Sequence, residues 1–205
     1  LSSNDLARGV AVVSPDINQS DLKRLDAAGV RAVRFNFLKR LVDNAPRDTF
    51  QNIAKKIADL GWHVVVYVEA QDLEDLAPFL KSLPTNIIFD HMARPDVNEG
   101  LNSKNFVLFQ KLMENEKFWC KTSCPERLSQ EGPEKNYSDI LPFMGVLINN
   151  YTERVLWGTD WPHPNMKSHM PDDGKLVDII EKIAPTEELQ RKLLVDNPMR
   201  LYWEN

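Results

Sequence analysis

Residues Trp62-His63-Val64-Val65-Val66-Tyr67-Val68-Glu69 read as an almost unbroken apolar run that ends in polar groups. A strand wetted on one face alternates apolar and polar positions. One covered on both faces, as in a parallel sheet, reads as continuous. Five further short runs share this character: Arg8 to Val13, Val30 to Phe37, Asn86 to Asp90, Phe118 to Thr122 and Arg154 to Gly158. An amphipathic helical stretch follows each. Strands that alternate with helices define the α/β class with right-handed crossovers.

Helix ends are marked along the chain. Ser20 is the expected cap of a helix over Asp21 to Ala28, which Gly29 stops. Asp48 with Gln51 fits a capping box, after which Phe50, Ile53, Ile57 and Leu60 form one apolar face up to Gly61. Leu73 to Leu83 reads as a weaker helix, kinked or started late by Pro78. Phe106, Phe109, Leu112 and Met113 mark a fourth helix, and Tyr137 to Tyr151 and Leu176 to Ile183 mark two more. Thr186 is placed to cap a last helix running to about Val195.

Strand starts near residues 9, 30, 62, 86, 118 and 154 recur on average every 29 residues. A (β/α)8 barrel of about 250 residues has about 31 per unit. Open doubly wound sheets have a similar step, but two features favour the barrel. No glycine-rich phosphate loop follows any strand, and polar or ionisable residues gather at nearly every strand's C-terminal end, the active-site face of such barrels. Six strands cannot close an eight-stranded barrel. The expectation is one partial barrel domain over residues 1–205 that lacks two β/α units.

Composition bounds the function. The chain has 205 residues, 42% hydrophobic and 27% charged, with 8 Gly, 13 Pro and 2 Cys. These values exclude a disordered, collagen-like or disulfide-rich protein. The apolar runs are too short to span a bilayer, and no signal peptide opens the chain. A net charge of −5 argues against a nucleic-acid partner. Cys120 and Cys124 do not make a secreted disulfide framework, so the expected compartment is the cytoplasm.

Read at the strand ends alone, the chain offers Arg34 and Asn36, Tyr67 and Glu69, Asp90, His91 and Arg94, Ser123 and Arg127, and finally Asp160, Trp161 and His163. Each has a bland explanation. A lone histidine is more often structural, an arginine at a strand end often pairs with a carboxylate, and an aspartate before Trp-Pro can cap a turn. Their joint occurrence on one rim favours a functional site.

Phe89-Asp-His-Met-Ala-Arg-Pro95, Leu156-Trp-Gly-Thr-Asp-Trp-Pro-His-Pro164 and Asp196-Asn-Pro-Met-Arg-Leu-Tyr202 resemble the amidohydrolase superfamily. They are most similar to its 2-pyrone-4,6-dicarboxylate lactonase group. Arg8-Gly-Val-Ala-Val-Val13 and Gly29-Val-Arg-Ala-Val-Arg-Phe-Asn36 fit the same group, so the resemblance covers the whole chain in order. It implies a (β/α)8 barrel whose last strand ends in a catalytic aspartate, here Asp160. The six runs then become strands three to eight. The family's first-strand His-x-His is absent from this sequence, whose four histidines are His63, His91, His163 and His169.

The resemblance further implies that Asp160 is the general base. It takes a proton from the water that attacks a lactone carbonyl, then returns a proton to the leaving oxygen. His91 is the implied donor to the developing oxyanion. A dicarboxylate substrate calls for arginine, whose planar fork grips a carboxylate through two parallel hydrogen bonds. Residue-wise matching assigns that role to Arg34, Arg40, Arg94 and Arg127, with Tyr67 and Ser123 as neutral partners. For Arg40 a solvated surface position is an equally good reading.

Amidohydrolases commonly hold divalent metal, whereas the lactonase group works without it. With only His91 and Asp160 at ligand-like positions, against the three or four that zinc requires, the expectation is no metal or other cofactor in this chain. Zinc remains open for a longer form. Cys120 and Cys124, spaced Cys-x-x-x-Cys without a second pair, are read as a strand and a loop residue rather than ligands. His63 is read as structural, and His163 and His169 fall in the final loop, where a structural and a substrate-lining role are both open.

The leading reading is therefore a hydrolase of small carboxylated lactones from aromatic-compound degradation. Its partner is a small dicarboxylate, with no membrane partner and a homo-oligomer as one option. The alternatives are a metal-dependent decarboxylase or amide hydrolase of the same superfamily, and an inactive truncated barrel or binding module. An open barrel edge exposes unpaired backbone groups. These residues alone are expected to be poorly soluble, oligomeric or part of a longer chain.

Overall fold

The computed structural model describes residues 6–38, 46–164, 166–167 and 169–204. Six parallel strands form one sheet: β1 (Gly9–Ala11), β2 (Val30–Asn36), β3 (His63–Tyr67), β4 (Ile87–Phe89), β5 (Phe118–Ser123) and β6 (Val155–Gly158). They lie in sequence order, each paired with its chain neighbours. All six predicted runs are strands.

The helices settle the choice between barrel and open sheet. A doubly wound sheet carries helices on both faces; here they form one layer. Leu22 of α1 (Gln19–Ala27), Ile53 and Ile57 of α2 (Arg47–Ala58) and Leu76 and Leu80 of α3 (Leu73–Ser82) share one core with Val33, Val64 and Phe89 of the strands. Phe106 and Phe109 of α4 (Lys104–Met113) and Phe143 and Leu147 of α6 (Leu141–Asn150) join the same core. The opposite strand face builds a second, small core from Ala32, Val65, Ile88, Trp119 and Leu156. Leu201 of the last helix, α10 (Asn197–Tyr202), plugs it. Alternate residues of one strand thus serve two cores, which is why the strands read as continuously apolar. A curled sheet whose crossover helices line its convex side, with α10 closing the inner core, is a part-barrel.

Local chemistry corrects several predicted helix ends. Asn18, not Ser20, caps α1: its backbone is extended and its side-chain oxygen accepts from the Asp21 amide, while Ser20 Oγ donates to it at 2.6 Å. Helix α2 begins before Asp48, behind Pro46, so no capping box forms. Asp48 lies within the first turn, where a negative charge favours the helix dipole. Helix α3 starts at Leu73 with Pro78 inside it, so the late start is not observed. Helix α6 begins at Leu141 rather than Tyr137 because Asn136 and Tyr137 both have positive φ, which a right-handed helix does not accept. The Leu176 to Ile183 stretch divides into α7 (Asp173–Asp178) and α8 (Ile180–Ile183). Thr186 caps α9 (Glu187–Arg191) as expected. The chain then winds through a π-type turn, Lys192–Asp196, into α10.

Candidate active site

The concave face carries the polar residues, placed there by strand parity. In β2, Ala32 belongs to the inner core and Arg34 follows two residues on. In β5, Trp119 is inner and Lys121 and Ser123 follow at the same step. Above the small apolar core lies an ionic layer. Asp90 accepts from Arg34 Nε at 2.8 Å through one oxygen and from Lys121 Nζ at 2.8 Å through the other. Burial disfavours the Asp90 carboxylate. The nearby Lys121, His91 and Arg34 outweigh it and hold its pKa below the ordinary carboxylate range. Burial likewise opposes the Lys121 ammonium, yet Asp90 raises its pKa above the usual value.

A second layer of polar side chains stands above this. Immediately after β4, His91, Met92, Ala93 and Arg94 all have φ between 52° and 57°, a left-handed turn of four non-glycine residues. Such backbone costs roughly 1 to 2 kcal/mol per residue and persists only where the surroundings enforce it. It brings the His91 ring edge-on to Tyr67, with centroids 5.3 Å apart, and sends Arg94 Nη1 to the Tyr67 hydroxyl at 3.1 Å. The Arg34 guanidinium lies 4.7 Å from the Tyr67 ring centroid. Two arginines therefore flank one tyrosine.

His91 Nδ1 meets Ser123 Oγ at 2.8 Å, and its Nε2 faces Asp160 Oδ1 at 3.7 Å. Burial disfavours the imidazolium more than Asp90 and Asp160 favour it, and lowers the His91 pKa to about 4, so the ring is neutral near pH 7. Arg127 Nη2 forms an ion pair with Asp160 Oδ2 and also donates to the Pro164 carbonyl. The pair lacks hydrogen-bond alignment: Asp160 Oδ2 and Arg127 Nε are buried with no hydrogen-bond partner among the described residues. A cleft of about 310 Å³ opens beside Arg94 and Arg127, with Glu69, Asn98 and Glu99 on its wall.

Asp160, His91, Arg34, Tyr67, Arg94, Ser123 and Arg127 thus meet at one rim, as the sequence predicts. Arg40 lies outside the described residues. Two predicted carboxylate binders also have internal partners, Asp90 for Arg34 and Asp160 for Arg127. Of the other strand-end residues, Asn36 Oδ1 accepts from the Leu38 amide, Glu69 lines the cleft and Trp161 is 74% exposed. His163 is buried between Glu126 and Asp173, 3.2 Å from each, and ties the loop after β6 to α5 (Pro125–Leu128). His169 pairs with Tyr137. His63 faces Tyr202 in the inner core, where burial holds its pKa down to about 3.

Sequence reasoning missed Lys121 and Cys124. Lys121 interrupts the buried run Phe118-Trp-Cys-Lys-Thr-Ser123 at an inner position, a signal that was available. Cys124 was read as a loop residue outside any ligand set. Its loop position is as expected, and its thiol lies beside two other ligand-type groups. With positive φ it turns its thiol into the site, where the ligand atoms of His91, Cys124 and Asp160 all lie within 4.8 Å of one another. Ligand-type residues at the site therefore number three, not two, and a divalent metal fits them.

A part-barrel with a histidine, an aspartate and clustered arginines at the strands' C-terminal rim defines an amidohydrolase-type hydrolase. The family model described as Amidohydrolase matches residues 3–203, and the chain belongs to this family of hydrolytic enzymes. It is 58% identical over 209 residues to a 2-pyrone-4,6-dicarboxylate hydrolase of Comamonas testosteroni, covering 98% of this chain and 68% of the relative. It is 31% identical over 197 residues to a 4-sulfomuconolactone hydrolase of Hydrogenophaga intermedia, covering 94% of this chain and 64% of the relative. Among solved structures, a Pseudomonas putida protein assigned as a 2-pyrone-4,6-dicarboxylic acid hydrolase superposes with a TM-score of 0.83 at 30% identity. That match covers 95% of this chain and 71% of the other. The chain spans about two thirds of the length of these relatives. No helix among the described residues is long and apolar enough to cross a membrane.

Proposed function

We propose that this chain carries the hydrolytic centre of an enzyme that opens a carboxylated lactone of the 2-pyrone-4,6-dicarboxylate type. One observation carries the reading: Asp160 stands between His91 and Arg127 at a rim where Arg34 and Arg94 flank Tyr67. Asp160 takes a proton from water as the water oxygen bonds to the lactone carbonyl carbon. The tetrahedral oxyanion accepts from His91 Nε2–H, the tautomer set when the Ser123 hydroxyl donates to Nδ1. Collapse breaks the ring carbon–oxygen bond, and Asp160 returns its proton to the leaving oxygen. Products are a carboxylic acid and an enol.

Arg94, Arg34 and Arg127 hold the substrate carboxylates, which compete with Asp90 and Asp160 for the same guanidinium groups. With a net charge of −5, local arginines have to supply the attraction for an anion. A divalent ion held by His91, Cys124 and Asp160 would supply Lewis-acid polarisation and a more acidic bound water. That three-donor set is the observation favouring the second reading, a metal-dependent decarboxylase or amide hydrolase.

On this reading the six strands are strands three to eight of an eight-stranded barrel, supported by their consecutive order and one-sided helix layer. The reading keeps the cytoplasm as compartment, supported by two buried, free cysteines. Ring opening of 2-pyrone-4,6-dicarboxylate by the purified protein, followed with and without chelator, tests the assignment. Chelator-resistant hydrolysis is expected. Chelator-abolished turnover would sink the metal-free mechanism, and no binding of dicarboxylates leaves only an inactive or non-enzymatic barrel.

A further inference from the structure

We propose that His91 Nε2, Cys124 Sγ and Asp160 Oδ1 form a three-ligand site for a thiophilic divalent ion such as zinc or cobalt(II), and that its occupation takes Asp160 out of catalysis. One ligand atom of each of the three residues lies within 4.8 Å of the others'. Ligands sharing one tetrahedral ion stand roughly 3.3 to 3.7 Å apart, given metal–nitrogen and metal–oxygen bonds of about 2.0 Å and a metal–sulfur bond of about 2.3 Å. The 3.7 Å between His91 Nε2 and Asp160 Oδ1 is too long for a hydrogen bond and of the size an ion between them would give.

The surroundings suit the site. Ser123 at Nδ1 is the outer partner that fixes a ligating histidine. Its hydroxyl accepts as readily as it donates, and when Nδ1–H donates to Ser123, Nε2 presents its lone pair. The same pair of residues therefore serves as oxyanion donor in one tautomer and metal ligand in the other, never both at once. Arg127 occupies Asp160 Oδ2 and leaves Oδ1 facing the histidine. The left-handed backbone at Cys124 is an expensive way to place a thiol that the hydrolytic mechanism does not use. On binding, the Cys124 S–H bond breaks, a metal–sulfur bond forms and the proton leaves to solvent.

Only the effect on catalysis rests on the proposed hydrolysis, and the primary readout is spectroscopic. Cobalt(II) titration of the whole chain is expected to give a near-ultraviolet sulfur-to-cobalt charge-transfer band that saturates at one equivalent. Zinc should displace it, Cys124→Ser abolish it and Cys120→Ser leave it intact. No such band at saturation, or a band that survives Cys124→Ser, overturns the site. Should Cys124→Ser not fold, X-ray absorption of the zinc-loaded wild type decides, with a sulfur neighbour at about 2.3 Å expected and a shell of only nitrogen and oxygen contradicting the site. Hydrolysis is expected to fall in proportion to the band and return with chelator. Hydrolysis that holds or rises with loading overturns the competition while leaving the site itself in place.

Discussion

His91 and Asp160, sixty-nine positions apart in sequence, face each other at 3.7 Å across the rim between β4 and β6. Neither is set there by its own element alone. His91 arrives on a left-handed turn enforced by Tyr67 and Ser123, and Asp160 is held by Arg127 and by the loop that His163 ties down.

On the proposed mechanism Arg127 should matter to rate as well as to binding, because it pairs with the Asp160 carboxylate. Arg127→Met is expected to lower kcat/KM on the order of 10² to 10³-fold, the range for losing one well-placed charged group. Arg94→Met, which touches Tyr67 but not Asp160, should act mainly on KM. Steady-state kinetics of the two variants, compared with their thermal melts, separates these roles.

The ionic layer predicts a stability pattern. Lys121→Met leaves the buried Asp90 with Arg34 as its remaining cationic partner and should cost about 3 kcal/mol, the lower end for breaking a buried pair. Asp90→Asn combined with Lys121→Met should cost less than the sum of the single changes by about 1 kcal/mol or more. Urea denaturation of the four proteins checks it.

Two histidines make the fold acid-sensitive. His63 and His91 have folded pKa values lowered to about 3 and about 4, against about 6.5 unfolded. Between those limits the unfolded chain binds protons that the folded one does not. Their contribution is therefore fully present above about pH 6.5 and lost as pH falls towards the folded values. Neither His63 nitrogen has a hydrogen-bond partner among the described residues, and the ring lies in the inner core. His63→Leu should be near neutral at pH 7.5 and should flatten the decline in unfolding midpoint between pH 6.5 and 4.5.

Packing of the convex face turns on Phe89, which is fully buried with Phe109 and Phe118 at centroid distances of 5.2 and 5.6 Å. Phe89→Ala should destabilise by about 3 to 5 kcal/mol. An equilibrium unfolding curve measures this directly.

The strands were legible because a β-branched run such as Val64 to Val68 has few other uses, and their polar endings pointed to the rim. The missing glycine-rich loop and the polar strand ends already favour a barrel over an open sheet, and the side of the sheet that each crossover helix covers, which periodicity does not encode, bears that out. Helix α6 was misjudged at Tyr137 because its positive φ comes from the surrounding turn rather than from any glycine. Within the site, Asp160, His91 and the arginines stood out through motif and strand end. Lys121 and Cys124 did not, since their roles depend on strand parity and on a left-handed turn that brings a thiol beside a histidine thirty-three residues away.

The measurement that bears most directly on the central claim is the rate of 2-pyrone-4,6-dicarboxylate ring opening by wild type and by Asp160→Asn. A proton acceptor lost from the reacting water predicts a fall in kcat on the order of 10² to 10⁴-fold, with KM and melting temperature little changed. An Asp160→Asn protein that turns over at the wild-type rate would contradict the account.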